Sequence, residues 1–284
     1  MKVTEYPAVT DLADNNVVLL DGPQGTKTMT IENLREQLFN AIPEMHNQIF
    51  RGKDLGTELT STQLSKIRDG SFDDLFVGDF WTIDDRVYRI ADIDYYLGTG
   101  DQGEGLQSHH LVVVPDNSLY NQRFNATNTN ANGYFGSEMY TSGLNSAKTI
   151  ISTAFPSAVL SHRIIVSNAV TNGNVTGYAW VDSTVDLMNE CMVYGHPHFL
   201  SGPYGTTVPS IYTESKTQLA LFRIAPKFIN AKIENDDGAM VRSSWWLRDP
   251  CGEQSFECVH YGGFCRFLGS DSANTSVRPA FLVG

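Results

Sequence analysis

Apolar residues recur along this chain with two different periods, and the change of period divides it. Val17-Val18-Leu19-Leu20 is a short apolar run, and Thr26 to Ile31 alternates polar with apolar. With the turn-forming Asp21-Gly22-Pro23-Gln24-Gly25 between them, residues 1–31 predict a compact β element. The spacing then lengthens. Ile31, Leu34, Leu38, Ile42, Met45 and Ile49 follow one another in steps of three and four, a single stripe that predicts a helix. Thr30 is its expected N-cap, with Glu32 in the first turn. Pro43 lies inside the stripe and is expected to kink or end the helix. A stripe this narrow fits a helix packed on its own domain, or a short oligomerisation stalk, trimeric in form. Thr60 to Ile67 opens with cap-type residues and predicts a second helix, closed by Asp69-Gly70.

From Leu75 onward the pattern is mainly that of strands. Val77 to Ile83 alternates, Asp84-Asp85 makes a turn, and Arg86 to Ala91 returns. His109 to Pro115 is a short, mostly apolar strand. Gly136 to Phe155 and Val181 to Tyr194 read as helices, the second begun by Asp182 or Ser183. Long polar loops cover 116–134 and 195–218, and the stretch 243–284 reads as short strands with tight turns. The fold class expected is α+β with mostly antiparallel short strands. The divisions expected are a β element at 1–31, a helical stalk or linker at 32–74, and one large domain at 75–284. No repeat of fixed period appears.

Composition and charge narrow the function. Among 284 residues, 41% are hydrophobic, enough to bury a substantial core without disulfides or metals. The net charge of -12 and the absence of any Lys and Arg run argue against a nucleic-acid partner. No apolar run approaches the ~18 residues of a membrane span, so no membrane insertion is expected. The start, Met1 to Pro7, shows no apolar leader segment, which predicts assembly in the cytosol.

The candidate chemistries are few. Gly98-Thr99-Gly100-Asp101-Gln102-Gly103 has the letters of a dinucleotide fingerprint, but no helix follows it, and it reads as a loop. His109 and His110 are adjacent on a predicted strand and point to opposite faces. His196 and His198, with Cys191 nearby, lack a strong zinc pattern. Asp92 and Asp94 fall short of a calcium loop. Cys251, Cys258 and Cys265 are too widely spaced for a zinc knuckle, and with Cys191 they are expected to be free thiols. There is no GxSxG elbow and no P-loop. No catalytic residue, metal or cofactor is expected.

The most specific text lies near the end: Trp245-Trp246-Leu247-Arg248-Asp249-Pro250, then a Gly, Ser and aromatic-rich stretch, then Val277-Arg278-Pro279-Ala280-Phe281. Further blocks precede it in order, among them Gly78-Asp79-Phe80-Trp81, Gly133-Tyr134-Phe135-Gly136 and Trp180-Val181-Asp182-Ser183-Thr184. Together, over roughly residues 51–284, they resemble phage tail and virion proteins. The C-terminal module is similar to the C-type lectin-like variable proteins of diversity-generating retroelements. In such relatives the varied positions derive from AAC-type codons. Cys251, Ser255, Phe256, Cys258, His260, Tyr261, Arg266 and Ser270 are among the residues reachable that way, whereas Glu253 and Glu257 depart from the pattern.

The resemblance implies a virion surface protein, a tail tip or fibre and homotrimeric, without enzymatic activity. It would join other virion proteins through its N-terminal segment and bind a host-cell glycan or protein through a C-type lectin-like domain. Ser255, Phe256, Cys258, His260, Tyr261, Phe264 and Arg266 are the expected receptor-binding residues. Trp245, Trp246, Arg248 and Arg278 are the expected anchors beneath them. Two alternatives stay open. One is a head-decoration or fibre protein that adheres only weakly. The other is an enzyme of the formylglycine-generating type, for which Cys258 and Cys265 are a poor match. A rigid platform carrying aromatic and small polar side chains is the usual composition of a recognition surface.

Overall fold

A computed structural model describes residues 16–22, 25–34, 43–101, 105–196 and 217–284. Its strands are β1 (Val17–Gly22), β2 (Gly25–Thr30), β3 (Phe80–Ile83), β4 (Arg86–Ile93), β5 (Leu111–Pro115) and β6 (Tyr120–Asn121). Next come β7 (Val159–Leu160), β8 (His162–Thr171), β9 (Asn174–Ser183), β10 (Val185–Leu187), β11 (Ala231–Glu234) and β12 (Met240–Ser243). The last are β13 (Trp245–Cys251), β14 (Ser255–Val259), β15 (Cys265–Gly269), β16 (Ser276–Val277) and β17 (Pro279–Val283). The α-helices are short: α1 (Ser61–Arg68), α2 (Asn145–Ala154), α3 (Glu190–Tyr194) and α4 (Ala220–Ile224). The fold is α+β, with few helices and mostly antiparallel strands.

Two sheets share one core. The first has the order β10-β17-β5-β4-β3, with β7 also paired to β17; the second runs β15-β14-β13-β16-β6. Only the β13–β16 ladder is parallel among the named pairs of the described residues. Strand β5 is buried along its whole length, as is β13. Strands covered on both faces lose the polar alternation of a half-exposed strand. The aromatic rings of Trp81, Tyr88, Phe155 and Phe281 meet edge-on or tilted at centroid distances of 5.2–6.1 Å, a favoured geometry for ring quadrupoles.

Several local expectations match the fold. Asp84 and Asp85 both take left-handed backbone, φ 48° and 60°, and join β3 to β4 in a two-residue turn. Thr60 caps α1 through a capping box with Gln63, the two bonds measuring 3.2 and 3.0 Å. Strands β1 and β2 pair from Val17↔Thr30 to Gly22↔Gly25. Thr30 Oγ1 accepts from the Asn33 amide at 3.1 Å, as an N-cap does.

Other expectations need correction. Residues 181–183 and 185–187 are strand, not helix: Val181 to Ser183 end β9, and β10 pairs with β17. Helix begins only after Asn189, whose side chain accepts from the Met192 amide at 2.7 Å. The Asn172-Gly173 turn, both residues at positive φ, makes β8 and β9 a long hairpin. The stretch 136–155 is not one helix, because a π-turn at Met139–Gly143 precedes α2. Pro43 opens a separate 3-10 helix, Pro43–Asn47. Leu38 and Ile42 of the expected stripe lie outside the described residues, as does the start up to Asn15.

Residues on the two sides of the boundary expected at residue 75 touch one another. His46 is fully buried, stacks on Phe76 and has its Nδ1 2.6 Å from the Leu75 carbonyl. Ile67 and Phe72 join the same core cluster as Trp245 and Phe281. His46, Ile67 and Phe72 therefore pack with residues of the stretch 75–284. Physically, their apolar side chains have a core to enter, and a solvated stalk would leave them wet.

Candidate functional site

The site is built on the central strand β13. Successive side chains on a strand point to opposite faces, so Trp245 and Trp246 anchor both sides of it. Trp245 Nε1 donates to the Ile229 carbonyl at 3.1 Å, and the Arg278 guanidinium lies 5.1 Å from its ring centroid. Trp246 Nε1 donates to the Gln122 carbonyl at 2.7 Å, and its ring meets Phe124 edge-on. All four expected anchors, Trp245, Trp246, Arg248 and Arg278, are buried.

The two arginines use different partners. Arg278 donates to the carbonyls of Pro115, Phe228 and Ile229 at 2.8–3.2 Å. Burial weakens its hold on the proton and lowers it to about 10, still charged near neutral pH. Arg248 donates to the Leu187 carbonyl at 3.4 Å. Burial opposes its charge, but Tyr96, Asp249 and Asp186 around it raise its affinity for the proton overall. Asp186 accepts from the Tyr134 hydroxyl at 2.8 Å. These buried charges are only partly satisfied: Arg278 Nη2 and Asp186 Oδ2 are buried without a hydrogen-bond partner.

Strand β14 pairs with β13 on one side and β15 on the other. Two of the expected receptor contacts lie in the core. Phe256 and Cys258 are fully buried. Phe256 stacks flat on Phe124 at 3.6 Å between centroids. Burial pushes the Cys258 thiol up to about 12, so it is an inert core group. Ser255 is half-buried, and its carbonyl accepts from Asn130 at 2.9 Å.

The turn from β14 to β15 carries the exposed groups. His260 N donates to the Phe264 carbonyl at 2.9 Å, and Gly263 N donates to the His260 carbonyl at 2.7 Å. Gly263 needs its φ of +88°, and a Cβ there would sit 2.9 Å from Asn230 Oδ1. Tyr261 N donates to Ser244 Oγ at 3.1 Å, which ties the turn to the residue before β13. His260 is largely covered, with Tyr261 and Phe264 against its ring at 3.8 and 4.3 Å. Tyr261 and Phe264 are each 55% exposed, and Phe267 on β15 is 49% exposed. Arg266 is exposed beside them in sequence. Tyr261, Phe264 and Arg266 thus lie on one hairpin, and Phe267 follows Arg266 on the opposite face of β15. Phe267 carried no signal of its own, because its exposure depends on what the fold lays across that face of β15.

The other candidate groups have structural roles. Asp94 receives both neighbours: His109 Nδ1 lies 2.7 Å from its Oδ2, and His110 N donates to its Oδ1 at 2.9 Å. Asp92 accepts from the Ala220 and Ile93 amides at 2.8 Å each, and burial raises it to about 6. The Gly98 amide closes its loop on the Leu106 carbonyl at 2.7 Å. His198 lies outside the described residues. All four cysteines are free thiols.

Compared with known proteins, the chain matches no family model, no curated protein and no solved structure.

Proposed function

We propose that this chain is a surface protein of a tailed phage virion that binds a host-cell receptor through a C-type lectin-like C-terminal domain. One observation carries the reading. A domain that buries most of its large aromatic side chains leaves Tyr261, Phe264 and Phe267 half-exposed on a single hairpin. Large apolar groups gathered on a surface mark an interaction site more often than the same groups scattered singly. Tyr, Phe and Arg are also residues that carry binding energy at modest entropy cost. Arg266 supplies the donors that a sugar hydroxyl, carboxylate or backbone carbonyl accepts. Binding is reversible and involves no covalent step.

The N-terminal hairpin supports attachment to a partner. Val17 and Leu19 on β1 are 58% and 66% exposed. A lone two-stranded hairpin is only marginally stable in water. Another virion protein, or the same strands of a trimer, is the covering surface this reading assigns to it.

The test is binding of the purified full chain to cells of candidate hosts, compared with a Tyr261→Ala, Phe264→Ala double variant. The expected result is cell binding by the parent and its loss in the folded variant. Failure of the parent to bind any host, or undiminished binding by the variant, would overturn the reading in favour of a structural role in the particle.

A further inference from the structure

On the face of β14 opposite Phe256, acidic and thiol groups from three elements converge. Glu190 opens α3, Glu257 is the middle residue of β14, and Cys265 opens β15. One ligand-capable atom from each lies within 4.8 Å of the other two. Both glutamates are fully buried, and Cys265 is partly open. Asp249 stands next to them and accepts from the Glu190 amide at 2.7 Å.

Acidic groups meet inside proteins for several reasons, so the convergence alone decides nothing. A separate observation points to a ligand. Glu257 Oε1 is fully buried and has no hydrogen-bond partner, although Oε2 of the same carboxyl receives the Cys265 thiol at 3.8 Å. A buried polar atom without a partner costs free energy, and native cores rarely keep one without a reason. Asp249, by contrast, has a backbone donor.

We propose that Glu190, Glu257 and Cys265 hold a zinc-class divalent cation. The donor set is one sulfur and two carboxylates, which suits a borderline-soft ion and suits calcium or magnesium poorly. The spacing also fits: Zn–S and Zn–O bonds at a tetrahedral angle place sulfur and oxygen about 3.6 Å apart, against the 3.8 Å observed. Three protein ligands leave a fourth position for water on the open side, at Cys265. The ion would neutralise the carboxylates, give Oε1 a partner when Glu257 binds through both oxygens, and join the β14–β15 hairpin to α3. This assignment does not rest on the receptor reading; it concerns what braces the hairpin.

The full chain, freed of metal with a chelator, is titrated with Zn²⁺ by calorimetry and with Co²⁺ by absorption. The expected result is one bound equivalent, with a thiolate-to-cobalt charge-transfer band that Cys265→Ser abolishes. Glu257→Gln is expected to weaken zinc binding by roughly a hundredfold while the metal-free variant keeps the parent's circular dichroism. If Glu257→Gln does not fold, the Cys265→Ser comparison decides alone. No zinc uptake by the parent, or a band and stoichiometry unchanged in Cys265→Ser, would overturn the proposal. The cluster would then be a proton-sharing pair of carboxyls with a thiol beside it.

Discussion

Strands β13 and β15 belong to one sheet, separated only by β14, yet they treat large side chains in opposite ways. All seven residues of β13 are buried, and its two tryptophans each satisfy their N–H on a backbone carbonyl. Among the described residues, strand β15 pairs with β14 alone, and Arg266 and Phe267 are exposed. A central strand with both faces packed turns aromatic area into stability. An edge strand leaves part of that area exposed. The same chemistry, Trp or Phe on a β-strand, therefore means core in one place and exposed surface two strands away.

That contrast can be broken most forcefully at Trp246. Replacing it with Ala is expected to cost about 3–5 kcal/mol, because it opens a cavity against Phe124 and strands the Gln122 carbonyl. Urea unfolding measures it; a loss under about 1 kcal/mol would mean that β13 is not the anchor it looks to be.

The next effect is pH dependence, and it belongs to the β13 side. His162, near Arg248 and against Tyr96, is held to about 3 by burial, reinforced by His110 and Arg248. The unfolded chain takes up its proton near pH 6.5, the folded chain only near 3. Stability is therefore fully present above about 6.5 and is lost as pH falls toward 3, by an amount on the order of 3–5 kcal/mol. Asp92 works the other way: raised to about 6, it favours the folded state as pH falls from 6 toward 4. His162→Phe is expected to flatten the loss of stability between pH 6.5 and 4, read from denaturation at each pH. An unchanged slope would place the acid-sensitive group elsewhere.

The smallest stability effect is expected on the other strand of the comparison. Phe264→Ala removes a half-exposed ring stacked on His260 and should change stability by no more than about 1 kcal/mol. Its main consequence would be lost binding. A large loss of stability would show that the turn packs as core.

Parts of this fold were legible in the chain because their causes are local. Asp84-Asp85 and Thr60 with Gln63 set turn and cap by backbone preference and short-range hydrogen bonds. Asn172-Gly173 carried the same kind of signal for β8 and β9. Residues 181–188 misled because Val, Thr and Leu at mixed spacing fit either period, and pairing with β8 and β17 decided for strand. The β14–β15 hairpin was legible as a segment of unusual composition, and so were the buried residues of β13 beside it. Which of its residues face outward was not.

By itself, then, the sequence determined the turns, the caps, the acidic surface and the stretch where chemistry concentrates. Only the tertiary structure decided that Phe256 and Cys258 go inward while Tyr261, Phe264 and Phe267 stay out. It alone brought Glu190 to Glu257 and Cys265. The reason is that backbone preference acts over a few residues, whereas burial depends on what another part of the chain lays across a strand. Residues 256 and 267 sit on strands of similar composition. One lies under Phe124 and the other at the sheet's edge.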